Sequence, residues 1–342
     1  MNRTHPTYRL HYTLLFILLA ILFFAELIWG SVSIPFNQLW HALINPQETD
    51  ATAHILWSLR LPRACTALLA GAALSVCGAQ MQTLFRNPLA DPYVLGISSG
   101  AGLGVAFFVM GYSTGAFITK IPWIMHLGTA AAAWIGALTV SFLVMAAAKR
   151  LRNTMSLLIL GIMIGSVGGA LISLFQYFSS ASALKIYVLW TLGSFGGVTD
   201  IPLSIMAILI ALGLGLSVYN IKALNALTMG ETYAKSLGIQ VNAVRNRIFI
   251  STALLAGSVT AFCGPIGFIG IAVPHLARLL FKNANHKVLI PATALLGASI
   301  MLLADLTAQL PGSGQLLPIN TVAALLGIPV IILIILQNRS HG

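Results

Sequence analysis

Acid, imidazole and thiol are the side chains that could do chemistry in this sequence, and they are few and scattered. Two carboxylates, Glu26 and Asp305, fall inside apolar runs, each toward the end of its run. An ionisable group inside a membrane marks a functional site by default. At so shallow a depth, local hydrogen bonding is the better reading than a proton relay. His275, just after Pro274, reads as a packing residue. Cys65 and Cys77 lie twelve residues apart on one helix, about 18 Å, too far for a disulfide. With Cys263 they read as small core residues, and no metal-ligand spacing links them. There is no G-x-x-x-x-G-K-[ST], HExxH or GxSxG motif. The chain therefore holds no nucleotide and is read as no enzyme; any ATP hydrolysis belongs to a partner.

Three polar stretches remain. Thr228–Gly238, TMGETYAKSLG, reads as a complete small helix. Thr228 and Glu231 have capping-box spacing, and Glu231 precedes Lys235 by four, the favourable order for an ion pair. Tyr233 and Leu237 share one face, and Gly238 supplies the left-handed stop. So short a helix is marginal alone and must lean on something; a solvated connector is the plainer alternative. Arg60 and Arg63, with Pro62 opening the following helix, predict one positive face at a membrane rim, with snorkelling as the alternative. The basic turn Lys149-Arg150-Leu151-Arg152 leads to Asn153, Thr154, Met155 and Ser156 at the mouth of an apolar run.

The elements that must position these residues are membrane helices. The 342 residues are 58% hydrophobic and only 7% charged, with a mean hydropathy of +0.92; soluble domains carry about 25% charged residues. Spans are predicted near 12–30, 62–84, 93–111, 127–148, 155–178, 201–220, 248–263, 266–281, 288–310 and 320–336, an all-α polytopic protein of about ten transmembrane helices. The seventh and eighth are separated only by Gly264-Pro265-Ile266-Gly267. The first run lacks a signal-peptide cleavage pattern and is expected to stay as a span. Alternating spans put fourteen Lys and Arg on one side and four (Arg60, Arg63, Lys120 and Lys185) on the other. That bias predicts cytoplasmic termini, so the net charge of +11 reflects topology and not nucleic-acid binding. Phe36, Leu39, Trp40 and Leu43 predict a short interfacial helix, and 179–200 a partial helix lining an external cavity. Gly96, Gly100 and Gly104, and likewise Gly161, Gly165 and Gly169, form ridges for close helix approach, within one subunit or along a path between two.

Several separated motifs then converge. Arg60-Leu61-Pro62-Arg63, Gly71-Ala72-Ala73-Leu74, Met81-Gln82 and the block Leu84-Phe85-Arg86-Asn87-Pro88-Leu89-Ala90-Asp91-Pro92 resemble the permease subunits of type II ABC importers. So do Leu95-Gly96-Ile97-Ser98-Ser99-Gly100-Ala101, Gly193-Ser194-Phe195-Gly196-Gly197, Ser236-Leu237-Gly238, Gly267-Phe268-Ile269-Gly270, Pro274-His275, Leu303-Ala304-Asp305 and Leu317-Pro318-Ile319. That family takes up ferric siderophores, haem and cobalamin.

The resemblance implies a single transmembrane permease domain over 1–342 in a bacterial cytoplasmic (inner) membrane. It implies a pairing with a second copy or a homologous permease, two ABC ATPase subunits that bind ATP and Mg, and a periplasmic substrate-binding protein. An iron chelate is the leading substrate, with haem or cobalamin as alternatives and an ion-coupled secondary transporter as the reading from another class. His41, His54 and His126 are too scattered to argue for haem. Thr228, Glu231, Tyr233, Lys235, Leu237 and Gly238 look like the coupling helix that docks on the ATPase. Arg60 and Arg63 look like the binding-protein docking residues, and Thr154 and Met155 like the inner gate. Gln309 and Leu316 stand where relatives often carry charge, which implies a less electrostatic docking surface.

Overall fold

The computed structural model describes residues 6–30, 35–44, 51–111, 122–148, 150, 154–309 and 316–339. Among them every regular element is a helix. α1 (Pro6–Ile28) and the short α2 (Phe36–Ile44) lead to α3 (Ala51–His54), which runs through a π turn (Ile55–Arg60) into α4 (Leu61–Phe85). A 3-10 turn (Pro92–Leu95) precedes α5 (Ile97–Ala106), which loosens into a second π turn (Phe107–Gly111). Then come α6 (Pro122–Ala148), α7 (Thr154–Phe178), α8 (Ala181–Leu192) and α9 (Asp200–Tyr219). Two short helices, α10 (Ile221–Thr228) and α11 (Glu231–Ser236), precede α12 (Val241–Cys263), α13 (Ile269–Phe281), α14 (His286–Ala308) and α15 (Ile319–Arg339).

Seven of these helices are long and apolar enough to cross a bilayer, and Ile97–Gly111, Ala181–Leu192, Ile269–Phe281 and Ile319–Leu333 are shorter apolar helices. The chain is thus a multi-pass membrane protein. Each of the ten predicted spans contains a helix, and α8 is the expected partial one. The boundaries differ where polar residues sit inside helices. α12 starts at Val241, before Arg245 and Arg247, and α13 is only 13 residues long.

α4 is the helix the others surround. Most of its residues are buried, alanine being the commonest among them. Apolar side chains gain little by leaving lipid for one another, so helices in a membrane associate by close packing and interhelical hydrogen bonds. Here the packing is backbone on backbone. A Cβ on Gly71 would lie 2.2 Å from the carbonyl oxygen of Gly297 on α14, and one on Gly297 would lie 2.4 Å from that of Gly71. Two turns along the same face of α4, a Cβ on Gly78 would fall 1.8 Å from the carbonyl oxygen of Gly270 on α13. Hydrogen bonds lock these crossings. Ser75 Oγ donates to the carbonyl of Thr293 at 2.8 Å. Gln80 Nε2 donates to Ser217 Oγ at 2.7 Å and to Ser251 Oγ at 3.1 Å, tying α4 to α9 and α12. The predicted ridge on α5 serves a similar crossing inside this chain, Gly100 and Gly104 lying against α6 backbone at Gly136 and Ala132.

Irregular backbone within the bundle is satisfied by side chains, as it must be away from water. Between α12 and α13, Gly264 adopts φ +80°. The Ile266 N–H donates to Tyr93 Oη at 3.3 Å, and the Gly267 N–H to Asn320 Oδ1 at 3.1 Å. In α13, Pro274 cannot donate to the Gly270 carbonyl. Gln82 Nε2 reaches the carbonyls of Gly270 and Ile271 at 3.3 and 3.1 Å instead.

The crossings separate two kinds of glycine. Gly78→Val has no room against the Gly270 backbone and should abolish monodisperse protein in detergent. Gly169→Ala has nothing within 4 Å of the new methyl and should be neutral or stabilise by up to about 1 kcal/mol. Equal yields and melting temperatures for the two variants would contradict this packing.

Candidate functional site: a short exposed helix and a buried charge network

At one end of the bundle α10 and α11 form a polar elbow between α9 and α12. The expected capping box is not what starts α11. Thr228 ends α10, its Oγ1 donating to the Asn225 carbonyl at 2.6 Å, and Gly230 is the N-cap at φ +117°. An interposed Met229-Gly230 turns the chain before Glu231, which shortens the helix to 231–236. Gly230, a residue able to take that φ, was the signal in the sequence. Glu231 pairs with Arg245 of α12 at 3.1 Å, a contact across the elbow that the Glu231/Lys235 spacing did not foreshadow.

The C-terminal stop is as expected. Gly238 sits at φ +77°; its N–H donates to the Lys235 carbonyl at 2.9 Å, and that of Ile239 to the Ala234 carbonyl at 3.1 Å. Together these make a Schellman cap. Ala234 is fully buried, whereas Met229, Tyr233 and Leu237 are 68%, 48% and 57% exposed. α11 is therefore anchored by one face and presents an apolar face outward. Arg86 adjoins the elbow, its Nη1 3.8 Å from where a Gly230 Cβ would stand. It is the left-handed C-cap of α4, at φ 49°, so the end of α4 adjoins the turn that starts α11. Asp91 and Pro92 start the 3-10 turn as predicted, Asp91 Oδ1 accepting from the Tyr93 N–H at 2.8 Å.

Composition gave no hint of His286. It is buried, with Nε2 2.8 Å from Thr83 Oγ1 and Nδ1 2.8 Å from Asn225 Oδ1. It joins α4, α10 and α14 directly behind the elbow.

At the opposite end the arginines correct the expectation of an outward positive face. Arg60 is buried, and its Nη1 donates to the carbonyls of Leu27 and Ile28 at 2.7 Å each. A guanidinium there offsets the negative end of α1's dipole. Arg63 makes a bidentate pair with Asp305, Nε to Oδ2 and Nη2 to Oδ1, both at 2.7 Å. Gln309 Nε2 donates to Glu26 Oε1 and, at 3.5 Å, to Asp305 Oδ2. Glu26, Asp305 and Gln309 are all buried. The two intramembrane acids thus sit in local hydrogen bonds that join α1, α4 and α14, and Gln309 is the hinge between them.

α7 is the most exposed of the long central helices. Its face carries Met155, Ile159, Met163 and Val167, exposed by 60%, 52%, 61% and 61%. Thr154 opens this helix, and its side chain lies outside the described residues. The glycine ridge divides. A Cβ on Gly161 would lie 2.4 Å from the Val94 carbonyl oxygen and one on Gly165 3.3 Å from Ser99 Oγ, so both serve packing inside this chain, while Gly169 faces open space.

The chain matches the FecCD transport family over residues 18–337 and belongs to that family. It is a type II ABC importer permease. It is 38% identical over 289 residues to the vitamin B12 import system permease protein BtuC of Klebsiella pneumoniae, covering 84% of each chain. It is 39% identical over 286 residues to BtuC of Escherichia coli, covering 83% of this chain and 84% of that one. A solved inward-facing ABC transporter, described as of metal-chelate type, superposes with a TM-score of 0.82 at 28% identity, over 96% of this chain and 99% of the other. PsaBC from Streptococcus pneumoniae, solved with a Fab, shares the fold at a TM-score of 0.51 and 16% identity, over 86% of this chain and 94% of that one.

The charge network makes a stability prediction. Asp305→Ala strands the Arg63 guanidinium and should cost about 3–5 kcal/mol. Arg63→Ala/Asp305→Ala should recover a large part of that loss. Melting in detergent measures both, and additive losses would contradict a coupled pair.

Proposed function

We propose that this chain is the membrane subunit of an ATP-driven importer for a bulky metal chelate, cobalamin or a ferric siderophore. It works in the inner membrane beside a second copy or a homologous permease. Two ATPase subunits carry the ATP and Mg, and an external binding protein delivers the chelate. The observation that carries the reading is the apolar face Met229/Tyr233/Leu237 on a helix whose other face is locked. Such a helix can transmit a push without chemistry. Motion of a docked ATPase would reach α12 through Glu231–Arg245 and α4 and α14 through Asn225, His286 and Thr83. The distribution of basic residues supports a cytoplasmic elbow. Cobalamin is supported by the names of relatives at 38–39% identity, and metal chelates more widely by the solved transporter. The exposed face of α7 is the proposed wall of the path, with Thr154 and Met155 at its inner gate.

The test uses proteoliposomes containing the permease, its ATPase and its binding protein. Radiolabelled cobalamin and a ferric hydroxamate siderophore are offered separately. One of them should accumulate with ATP, and Leu237→Asp should abolish accumulation and co-purification of the ATPase while leaving the permease monodisperse. Full transport by that variant would sink the coupling role. Accumulation of neither chelate would sink the substrate class.

A further inference from the structure

Beside the elbow, at the junction of α9, α10 and α12, lies a pocket of about 740 Å³ whose lining includes Tyr219, Asn220, Lys222, Gln240, Arg247 and Lys287. No acid lines it. Arg247 lies across the Tyr219 ring, 5.2 Å from its centroid, and its Nε donates to Asn220 Oδ1 at 3.0 Å. That bond orients the guanidinium. Asn220 is 1% exposed, and its Nδ2 finds no acceptor among the described residues. A buried donor without an acceptor is costly and points to a ligand oxygen.

The surroundings of the pocket point to the ligand class. Arg247 lies within α12, a helix long enough to span the membrane, and Tyr219 ends the apolar α9. Val218 and Tyr219 are 57% and 70% exposed and continue the exposed apolar residues Ile208 and Leu212 of α9. Tyrosine is enriched at the level of the lipid headgroups. Cations above an apolar, lipid-facing flank match a phosphodiester with acyl chains, and basic pockets between membrane helices bind such headgroups.

We propose that this pocket binds the headgroup of an anionic phospholipid. Arg247, Lys222 and Lys287 take the phosphate, Asn220 Nδ2 donates to a headgroup oxygen, and the acyl chains lie along α9. Gly238 and Ile239, which close α11, also line the pocket, so the bound lipid stiffens the elbow from its membrane side.

Native mass spectrometry of the full-length permease alone, in a neutral detergent, tests this without the ATPase. The probes are phosphatidylglycerol, phosphatidylcholine and inorganic phosphate. Phosphatidylglycerol should be retained in preference to phosphatidylcholine, and millimolar inorganic phosphate should not displace it. Lys222→Ala/Lys287→Ala should weaken retention about 25-fold, roughly fivefold per charge. Lys185→Ala, exposed and outside this pocket, should leave it unchanged. Equal retention of the two lipids, or an unaffected double variant with an unchanged melting temperature, would overturn the proposal. Displacement by phosphate would make it a site for the free anion. Release of the lipid on adding the ATPase would assign the pocket to that protein.

Discussion

Backbone-to-backbone contact around α4 is the constraint on which the rest of the structure depends. At Gly71–Gly297 and Gly78–Gly270 the approach leaves no space for even one methyl group. Because lipid is as apolar as a leucine side chain, the bundle cannot rely on burying apolar surface from water. Contact area and interhelical hydrogen bonds must hold it instead. Gln80, Ser75 and Gln82 supply those bonds from α4 itself, so the central helix carries both the close contacts and the polar links.

Polar groups elsewhere follow the same logic. At one end, Arg63 pairs with Asp305, Gln309 links Asp305 to Glu26, and Arg60 caps the carbonyls of Leu27 and Ile28, stitching α1, α4 and α14 together. At the other, Arg245–Glu231 and His286 fix the elbow to the bundle. Between them, Tyr93 and Asn320 satisfy the broken backbone that lets α13 be a half-length helix. Many helices also expose apolar residues, α11 and α7 among them. The faces of α11 and α7 are the ones proposed for a partner and a path.

Much of this was legible in the sequence because membrane helices need long apolar runs, and punctuation shows where they end. The Asp91-Pro92 start and the Gly238 stop could be read because each depends on the local chemistry of one or two residues. The Thr228/Glu231 cap could not, since spacing alone does not reveal that Gly230 turns the chain between them. The inward arginines were misread for a related reason. Their partners, the Leu27 and Ile28 carbonyls and Asp305, are distant in sequence, and only packing brings them together. His286 escaped notice because a lone histidine has no pattern.

The central claim is that the outward face of α11 receives an ATPase. Single cysteines at Met229, Tyr233 and Leu237, with Cys65, Cys77 and Cys263 replaced by serine, can be labelled by a polar maleimide with and without the partner ATPase. A further cysteine at Lys185, exposed on α8 and away from the elbow, serves as the reference. The account predicts rapid labelling at all three elbow positions, strong protection when the ATPase is added, and no change at the reference. Labelling of the elbow at the same rate with the ATPase bound would contradict it.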